Sequence, residues 1–253
     1  MALSPARLFT AANSEYFSLA DNSVFDVATT TNYWFGWGYI NATGTRSVIF
    51  SKIVADVDIG YQYSFRYETT DKLRFVVGYG ATDYAIAATT SSVAATTWFF
   101  WEAYIDKVNN LIGVSVNREA DVTAALSSDV RAGTGDFRIG TQFNVTPQYP
   151  WDGRLQAMGF TSGLPTGAER TAIYNSTAPG VLYSNRPSLS AATYLAFWNG
   201  DEASGNLVDS TGTYTMTDNN TVTTAAGIVL IPSAASSVST NWNRNSIRIG
   251  LGV

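Results

Sequence analysis

Trp98-Phe99-Phe100-Trp101-Glu102-Ala103-Tyr104-Ile105-Asp106 runs into the turn cluster Lys107-Val108-Asn109-Asn110 and then into Leu111-Ile112-Gly113-Val114-Ser115-Val116-Asn117. Two aromatic-rich and β-branched runs joined by a short Asn/Asp reversal read as an antiparallel hairpin. Such side chains suit a pleated, buried surface, and Asn and Asp suit tight turns. Trp98 and Trp101 are three residues apart, so their rings point to opposite faces of the strand. Trp34 and Trp37 repeat that spacing.

Outward from this hairpin, similar segments recur at roughly ten-residue spacing, at 16–19, 33–40, 47–53, 61–67, 73–79, 137–140 and 154–160, the rhythm of a sandwich or barrel. Clusters such as Asn41-Ala42-Thr43-Gly44 and Glu68-Thr69-Thr70-Asp71 supply the reversals between them. The stretch 60–116 is expected to form one meander of antiparallel hairpins. The one helical signal covers 164–174: Thr166 caps it, Glu169 follows three residues later as in a capping box, and Ile173 falls on the buried side. This helix is expected at the edge of the sandwich. The pattern predicts an all-β, antiparallel jelly-roll sandwich with one short helix.

Composition narrows the chemistry. The 253 residues include no cysteine and no histidine, which excludes disulfides, thiolate metal sites, Ser-His-Asp and Cys-His catalysis and any imidazole acid or base. A formal charge of −5 with no Lys/Arg cluster argues against a nucleic-acid partner. Residues 1–8 lack the apolar run of a signal peptide, and no later stretch is long enough to span a bilayer, so a soluble chain made without export is expected. Residues 178–189 are coil-like, with Pro179, Gly180 and Pro187. A second segment opens at Tyr194-Leu195-Ala196-Phe197-Trp198, and residues 233–240 have linker composition. Ile247, Ile249 and Leu251 carry a terminal strand-like tail that could finish the sandwich or add to a neighbour's sheet edge. The expected division is a sandwich over 1–176, a segment completing or capping it over 177–229, and a linker and tail over 230–253.

The 98–106 strand resembles the tryptophan-led, Asp-terminated strand of concanavalin A-like, laminin-G-like sandwiches. Leu111–Val116 with Asn117, Phe137-Arg138-Ile139-Gly140, and Trp151-Asp152-Gly153-Arg154-Leu155-Gln156 with the 164–174 helix fall in that family's order. The resemblance covers about residues 8–176. Gln156 stands where the family usually has Asp. The pattern Trp198, Asp201-Glu202-Ala203-Ser204-Gly205, Asp209-Ser210-Thr211-Gly212 resembles the opening of such a domain yet comes last, so either the strand order is permuted or a partial second unit follows. Family members without export signals are often bacteriophage structural proteins.

Four kinds of site follow from these residues. Related sandwiches include glycoside hydrolases with paired carboxylates about 5 Å apart. Glu102 and Asp106 share a strand face with Tyr104 between them, but four residues span roughly 13 Å, and Asp106 sits where a turn wants Asp. No catalytic residue is assigned, and the chain is expected not to be an enzyme. Calcium is the one cofactor the resemblance leaves open. Asp56 and Asp58 are close, but no acidic loop has a calcium-ligand spacing, so they read as solvated turn acids and no metal site is assigned. The loop 142–152 has the aromatic, amide and carboxylate groups of a sugar site: Asn144, Gln148, Tyr149, Trp151 and Asp152 are its candidate ligands, although Trp151 equally suits the core. Aromatic residues on both faces of several strands require a covered outer face, whether by another subunit or by the chain's own second sheet or carboxy-terminal segment. Asn41-Ala42-Thr43 fits a glycosylation acceptor, which carries no weight without a secretion signal.

The leading expectation is a non-enzymatic, homo-oligomeric structural or decoration protein of a virion, on the capsid or tail surface, contacting other assembly proteins and a glycan. The alternative is a lectin-like host-attachment module, and the third a glycanase. Neither nucleic-acid binding nor membrane insertion is expected.

Overall fold

A computed structural model describes residues 3–53, 61–80, 82–143, 146–175 and 179–230. In chain order the strands are β1 (Leu3–Phe9), β2 (Tyr16–Leu19), β3 (Asn32–Ile40), β4 (Ser47–Ile53), β5 (Tyr61–Tyr67), β6 (Leu73–Tyr79), β7 (Asp83–Ala88), β8 (Trp98–Asp106), β9 (Leu111–Val116), β10 (Val122–Ala125), β11 (Phe137–Ile139), β12 (Gln142–Phe143), β13 (Pro147–Gln148) and β14 (Gly153–Ser162). Helix α1 (Gly167–Tyr174) precedes β15 (Thr193–Trp198), β16 (Thr217–Asn219) and β17 (Thr223–Leu230). One sheet runs β10-β9-β8-β3-β14-β1-β17, with β15 also pairing with β14. The facing sheet runs β16-β2-β11-β4-β5-β6-β7, and β12-β13 is a small separate ribbon. All named pairings are antiparallel, giving the expected jelly-roll sandwich, with one α-helix among the described residues.

The meander expected over 60–116 is divided. β4 through β7 pair consecutively in one sheet, and the chain then crosses so that β8, β9 and β10 pair consecutively in the other. The 98–106 and 111–116 hairpin is confirmed, with Trp101 opposite Val116 and Asp106 opposite Leu111.

Period-two alternation explains how β3 and β8 bury aromatic rings on both faces. Trp34 and Trp101 enter the core between the sheets, where Trp34 stacks on Phe50 and Phe160 at centroid distances of 5.5 and 5.0 Å. Tyr33, Phe35, Trp37, Phe100 and Tyr104 point the other way, into a second apolar cluster. That outer face is covered by the chain itself: Ile173 of α1 with Val181 and Leu182 of the following segment close over it, and Phe197 of β15 and Val229 of β17 extend the same sheet face into the cluster. Helix α1 therefore lies on a sheet face rather than at the sandwich's edge. Thr166 accepts from the Glu169 amide and the Glu169 side chain accepts from the Thr166 amide, the expected capping box.

Glycines let these rings lie flat against the neighbouring strand. Gly36 is directly opposite Trp101, Gly38 opposite Phe99, Gly113 opposite Tyr104 and Gly159 opposite Phe35. A Cβ at these glycines would fall 2.5, 2.7, 2.1 and 2.2 Å from the facing ring. The aromatic partner covers the backbone that each glycine leaves bare, which makes a cross-strand pair out of two otherwise poorly matched residues.

The last strands join both sheets. Along one edge β14 meets β3 over its length; along the other it meets β1 at Gly153 to Leu155 and β15 at Met158 to Ser162. β16 extends the facing sheet beside β2, and β17 pairs with β1. The β1/β17 ladder breaks between Leu3 and Pro5, and the fully buried Gln156 bridges the break. Its Nε2 donates to the carbonyls of Ser4 (3.1 Å) and Pro5 (2.8 Å), and its Oε1 accepts from the amides of Ile228 (2.8 Å) and Val229 (3.1 Å).

Candidate functional site

Glu102 is no free acid. It is fully buried and accepts from Tyr33 Oη (2.7 Å), Ser115 Oγ (2.5 Å), Arg118 Nη1 (2.8 and 2.9 Å) and Arg170 Nε (2.8 Å). Arg170 of α1 also grips Asp121 with two bonds of 2.8 Å, and Asp121 accepts from Tyr104 Oη. Burial opposes the Arg170 charge, but Asp121 and Glu102 more than offset it and hold the guanidinium's pKa above its ordinary value. Burial likewise pushes the Asp121 carboxyl up, and Arg170 brings it below the usual range. This network fixes α1 to the sheet and leaves Glu102 no route to a substrate. Asp106 has the turn role expected of it: its carboxylate accepts from the amides of Val108 and Asn109 and from the Asn109 side chain.

The 142–152 loop is only partly exposed. Trp151 is a correction to the candidate ligand set, because its side chain is fully buried and packs edge-on to Phe99. The residue closes the core behind Gly140, whose carbonyl accepts the Trp151 amide at 2.7 Å. Tyr149 is 39% exposed, in a left-handed conformation, with the Arg46 guanidinium 5.1 Å from its ring centre. Gln148 lies on β13, and Asp152 accepts from Asn41 Nδ2 at 3.1 Å. Asn144 lies outside the described residues, as do Asp56, Asp58, Ile247, Ile249 and Leu251. Beside this loop Arg46, Arg66 and Arg74 surround Glu68. Burial raises the Glu68 carboxyl, and Arg66 and Arg46 outweigh that and lower it. Among the described residues no group of three or more acidic side chains is arranged to hold a metal ion, and no helix is long and apolar enough to cross a membrane.

A groove forms instead in the segment read as coil. After α1 the chain crosses the outer face of the larger sheet, anchored there by Val181 and Leu182, and makes a tight turn at Tyr183–Asn185 before Arg186-Pro187 turns it toward β15. Three contacts hold its rim. The Tyr183 amide donates to Asn199 Oδ1 (2.9 Å), Tyr194 Oη donates to the Pro187 carbonyl (3.2 Å), and the Ser190 amide donates to Glu169 Oε1 (2.5 Å). The cavity left between these supports measures about 340 Å³ and is lined by Arg186, Ser188, Leu189, Ala192 and Thr193 with the two tyrosines Tyr183 and Tyr194.

Arg186 is fixed within it. Its guanidinium lies 3.6 Å from the centre of the Tyr183 ring and 5.2 Å from that of Tyr194, and Nη1 donates to the Tyr183 carbonyl at 2.7 Å. Cation–π contact on two sides and one backbone bond restrict its rotamers. Burial pushes the Tyr194 phenol above its ordinary pKa, so that wall stays neutral in water of any physiological pH. Sequence reasoning passed over this site because Pro, Gly and Ser signalled only coil; the interval from Tyr183 through Arg186-Pro187 to Tyr194 was the available signal.

No protein-family model matches the sequence, and no curated protein matches it. Solved structures do. A candidate carbohydrate-binding protein from Bacteroides ovatus superposes with a TM-score of 0.65 at 14% identity over 89% of this chain, which spans 60% of that protein's length. The heptameric SAP-like pentraxin of Limulus polyphemus superposes with a TM-score of 0.54 at 14% identity, over 79% of this chain and 93% of the pentraxin. At that identity the likeness is one of fold, a lectin-like jelly roll.

Proposed function

We propose that the chain is a lectin-like glycan-binding module that takes a saccharide in the groove between Tyr183 and Tyr194. The observation that carries this reading is the groove itself: a pre-formed, solvent-open cavity of about 340 Å³ whose rim is held by side-chain and backbone hydrogen bonds. Small-molecule sites occupy roughly 300–1,000 Å³ and combine apolar walls with a few placed polar groups. Leu189 and Ala192 supply the wall, and Ser188 and Thr193 supply hydroxyls. A sandwich fold shared with a candidate carbohydrate-binding protein is consistent with that use.

The expectation of a virion-type structural or decoration protein has less support. Of its arguments, the one from aromatic residues on both strand faces is answered by the chain's own segment closing over the outer face, the one from the 247–251 strand falls outside the described residues, and those from a missing export signal and missing catalytic groups do not point to a virion in particular. Catalysis is not proposed, because of the two carboxylates considered for it Glu102 is enclosed by two arginines and Asp106 is engaged by the turn at Val108 and Asn109.

A glycan array screened with and without calcium, followed by titration of each hit against Ser188→Trp, tests the reading. Ser188 is exposed at the groove, so the indole fills the cavity without entering the core. Binding that disappears in the variant supports the proposal. An array with no hits, or hits that the variant binds equally well, removes it.

A further inference from the structure

Resting on the glycan reading, we infer that the saccharide carries one carboxylate, and that Arg186 receives it. Of the buried and half-buried arginines elsewhere in the described chain, Arg7, Arg66, Arg118 and Arg170 each reach a carboxylate within 4.0 Å. Arg154 and Arg131 donate to backbone carbonyls, away from this cavity. Arg186 alone among the described arginines lines the groove, and it forms no ion pair with any described residue. The acidic charge that acts on Tyr194 is that of Glu169, whose carboxylate is already engaged by the amides of Ser190 and Thr166.

The tyrosines do not serve as free stacking platforms for a sugar ring. One face of Tyr183 is occupied by the guanidinium at 3.6 Å, and the ring also packs on Phe197 at 5.7 Å. Tyr194 packs on Phe197 at 6.0 Å and directs its hydroxyl to Pro187. Both rings orient the arginine, and what the groove offers a ligand is a pre-positioned planar cation beside two hydroxyls. A guanidinium fork fits a carboxylate in bidentate fashion, and its rigid mounting lowers the entropy lost per hydrogen bond.

Charge limits the ligand to a single anionic group. One arginine balances one carboxylate but not a phosphate near −2, and a formal protein charge of −5 repels a densely charged polyanion. Charge thus selects a monoanion and the planar guanidinium fork a planar acceptor, so the ligand class is a uronic or other carboxylated sugar, with its remaining hydroxyls facing Ser188 and Thr193.

Matched pairs test this, with methyl glucuronide against methyl glucoside and methyl galacturonide against methyl galactoside as the probes, titrated by calorimetry or by amide chemical shifts. In the native chain the acid of at least one pair is expected to bind tighter by about tenfold or more, the increment of one charge-assisted hydrogen bond. Arg186→Gln is expected to abolish that preference while leaving weak binding of the neutral sugar, and Arg186→Lys to restore only part of it. An unchanged thermal midpoint in both variants shows that the fold persists. Equal affinity for acid and neutral sugar, or an acid preference that survives Arg186→Gln, overturns the carboxylate assignment and leaves the glycan reading standing. No binding of either member of any pair, together with an empty array, overturns both.

Discussion

Gln156→Glu changes one atom of a fully buried side chain and reverses half of its hydrogen bonding. In the native chain the amide nitrogen donates to the Ser4 and Pro5 carbonyls while the oxygen accepts from Ile228 and Val229. Glutamate keeps the accepting half. When ionised it turns an acceptor toward two carbonyls and leaves both unsatisfied; when protonated its O–H can serve one. Leaving a buried polar group unsatisfied costs about 1–3 kcal/mol each, so the ionised variant loses roughly 2–6 kcal/mol and the protonated one about 1–3 kcal/mol. Burial and the opposing carbonyls raise the new carboxyl's folded-state pKa above its unfolded value of about 4.3. A group raised on folding contributes most stability below the unfolded pKa and loses it as pH rises through the folded pKa, so the variant's deficit grows from pH 4.5 to pH 7.5. Urea unfolding followed by tryptophan emission, on both proteins at both pH values, measures the deficit. With a urea slope of about 1–3 kcal/mol/M, a loss of 3 kcal/mol moves the midpoint by roughly 1–3 M. A variant within about 0.5 kcal/mol of the native chain at pH 7.5 would refute the bridging role, since surface-like substitutions stay inside that margin. A deficit that shrinks as pH rises would refute the sign.

Glu102→Gln is expected to lower stability by about 3–5 kcal/mol, because it withdraws a negative charge from two arginines that stay buried or half-buried, while glycan affinity per folded molecule stays the same; thermal unfolding and titration read the two. Gly113→Ala drives a methyl group to 2.1 Å from Tyr104 Cζ, for a loss of about 1–3 kcal/mol, and Tyr104→Leu in the same chain is expected to relieve part of it, a coupling that a double-mutant cycle measures. The Glu169 carboxyl is lowered to about 2 by the amides of Ser190 and Thr166. A group lowered on folding contributes above its unfolded pKa and loses that contribution as pH falls, so the stability gap between the native chain and Glu169→Gln should narrow between pH 5 and pH 2; melts across that range check it.

The fold was legible where side-chain period and local turn chemistry act together. Residues 98–106 and 111–117 carry aromatic and β-branched strand runs joined by an Asn-rich reversal, and both signals favour one hairpin. The helix was legible for the same reason, since Thr166, Glu169 and Ile173 lie within a single turn or two of one another. The short strands Asp83–Ala88 and Val122–Ala125 were missed because their small or exposed residues make little of a hydrophobic pattern. The partners of Gln156 were also out of reach: they lie about 70 residues downstream and 150 upstream, and no local pattern reports which carbonyls a buried amide will meet.

The groove was illegible for a different reason, and that reason bears on function. Sequence reading places a ligand site where aromatic residues, amides and turns coincide, which is why the 142–152 loop drew attention; there Trp151 proved to be core. The outer face of β3 and β8 needed a cover, and the segment that supplies it had to combine anchors such as Val181 and Leu182 with turns that lift the chain off the sheet again. Where it lifts, between Tyr183 and Thr193, the backbone leaves a cavity, and a cation held there by ring faces has no acidic partner among the described residues. Covering a second apolar face thus creates a pre-formed site on this sandwich. Weakening the anchor should therefore impair the site before the core: Val181→Ala removes about 1–2 kcal/mol of burial at the outer cluster, so glycan affinity is expected to fall while the Trp34 and Trp101 environment, read by near-ultraviolet circular dichroism, stays as in the native chain. Loss of the tryptophan signal before any loss of binding would show that the outer layer and the core unfold as one unit, and the groove would then have no independent mechanical basis.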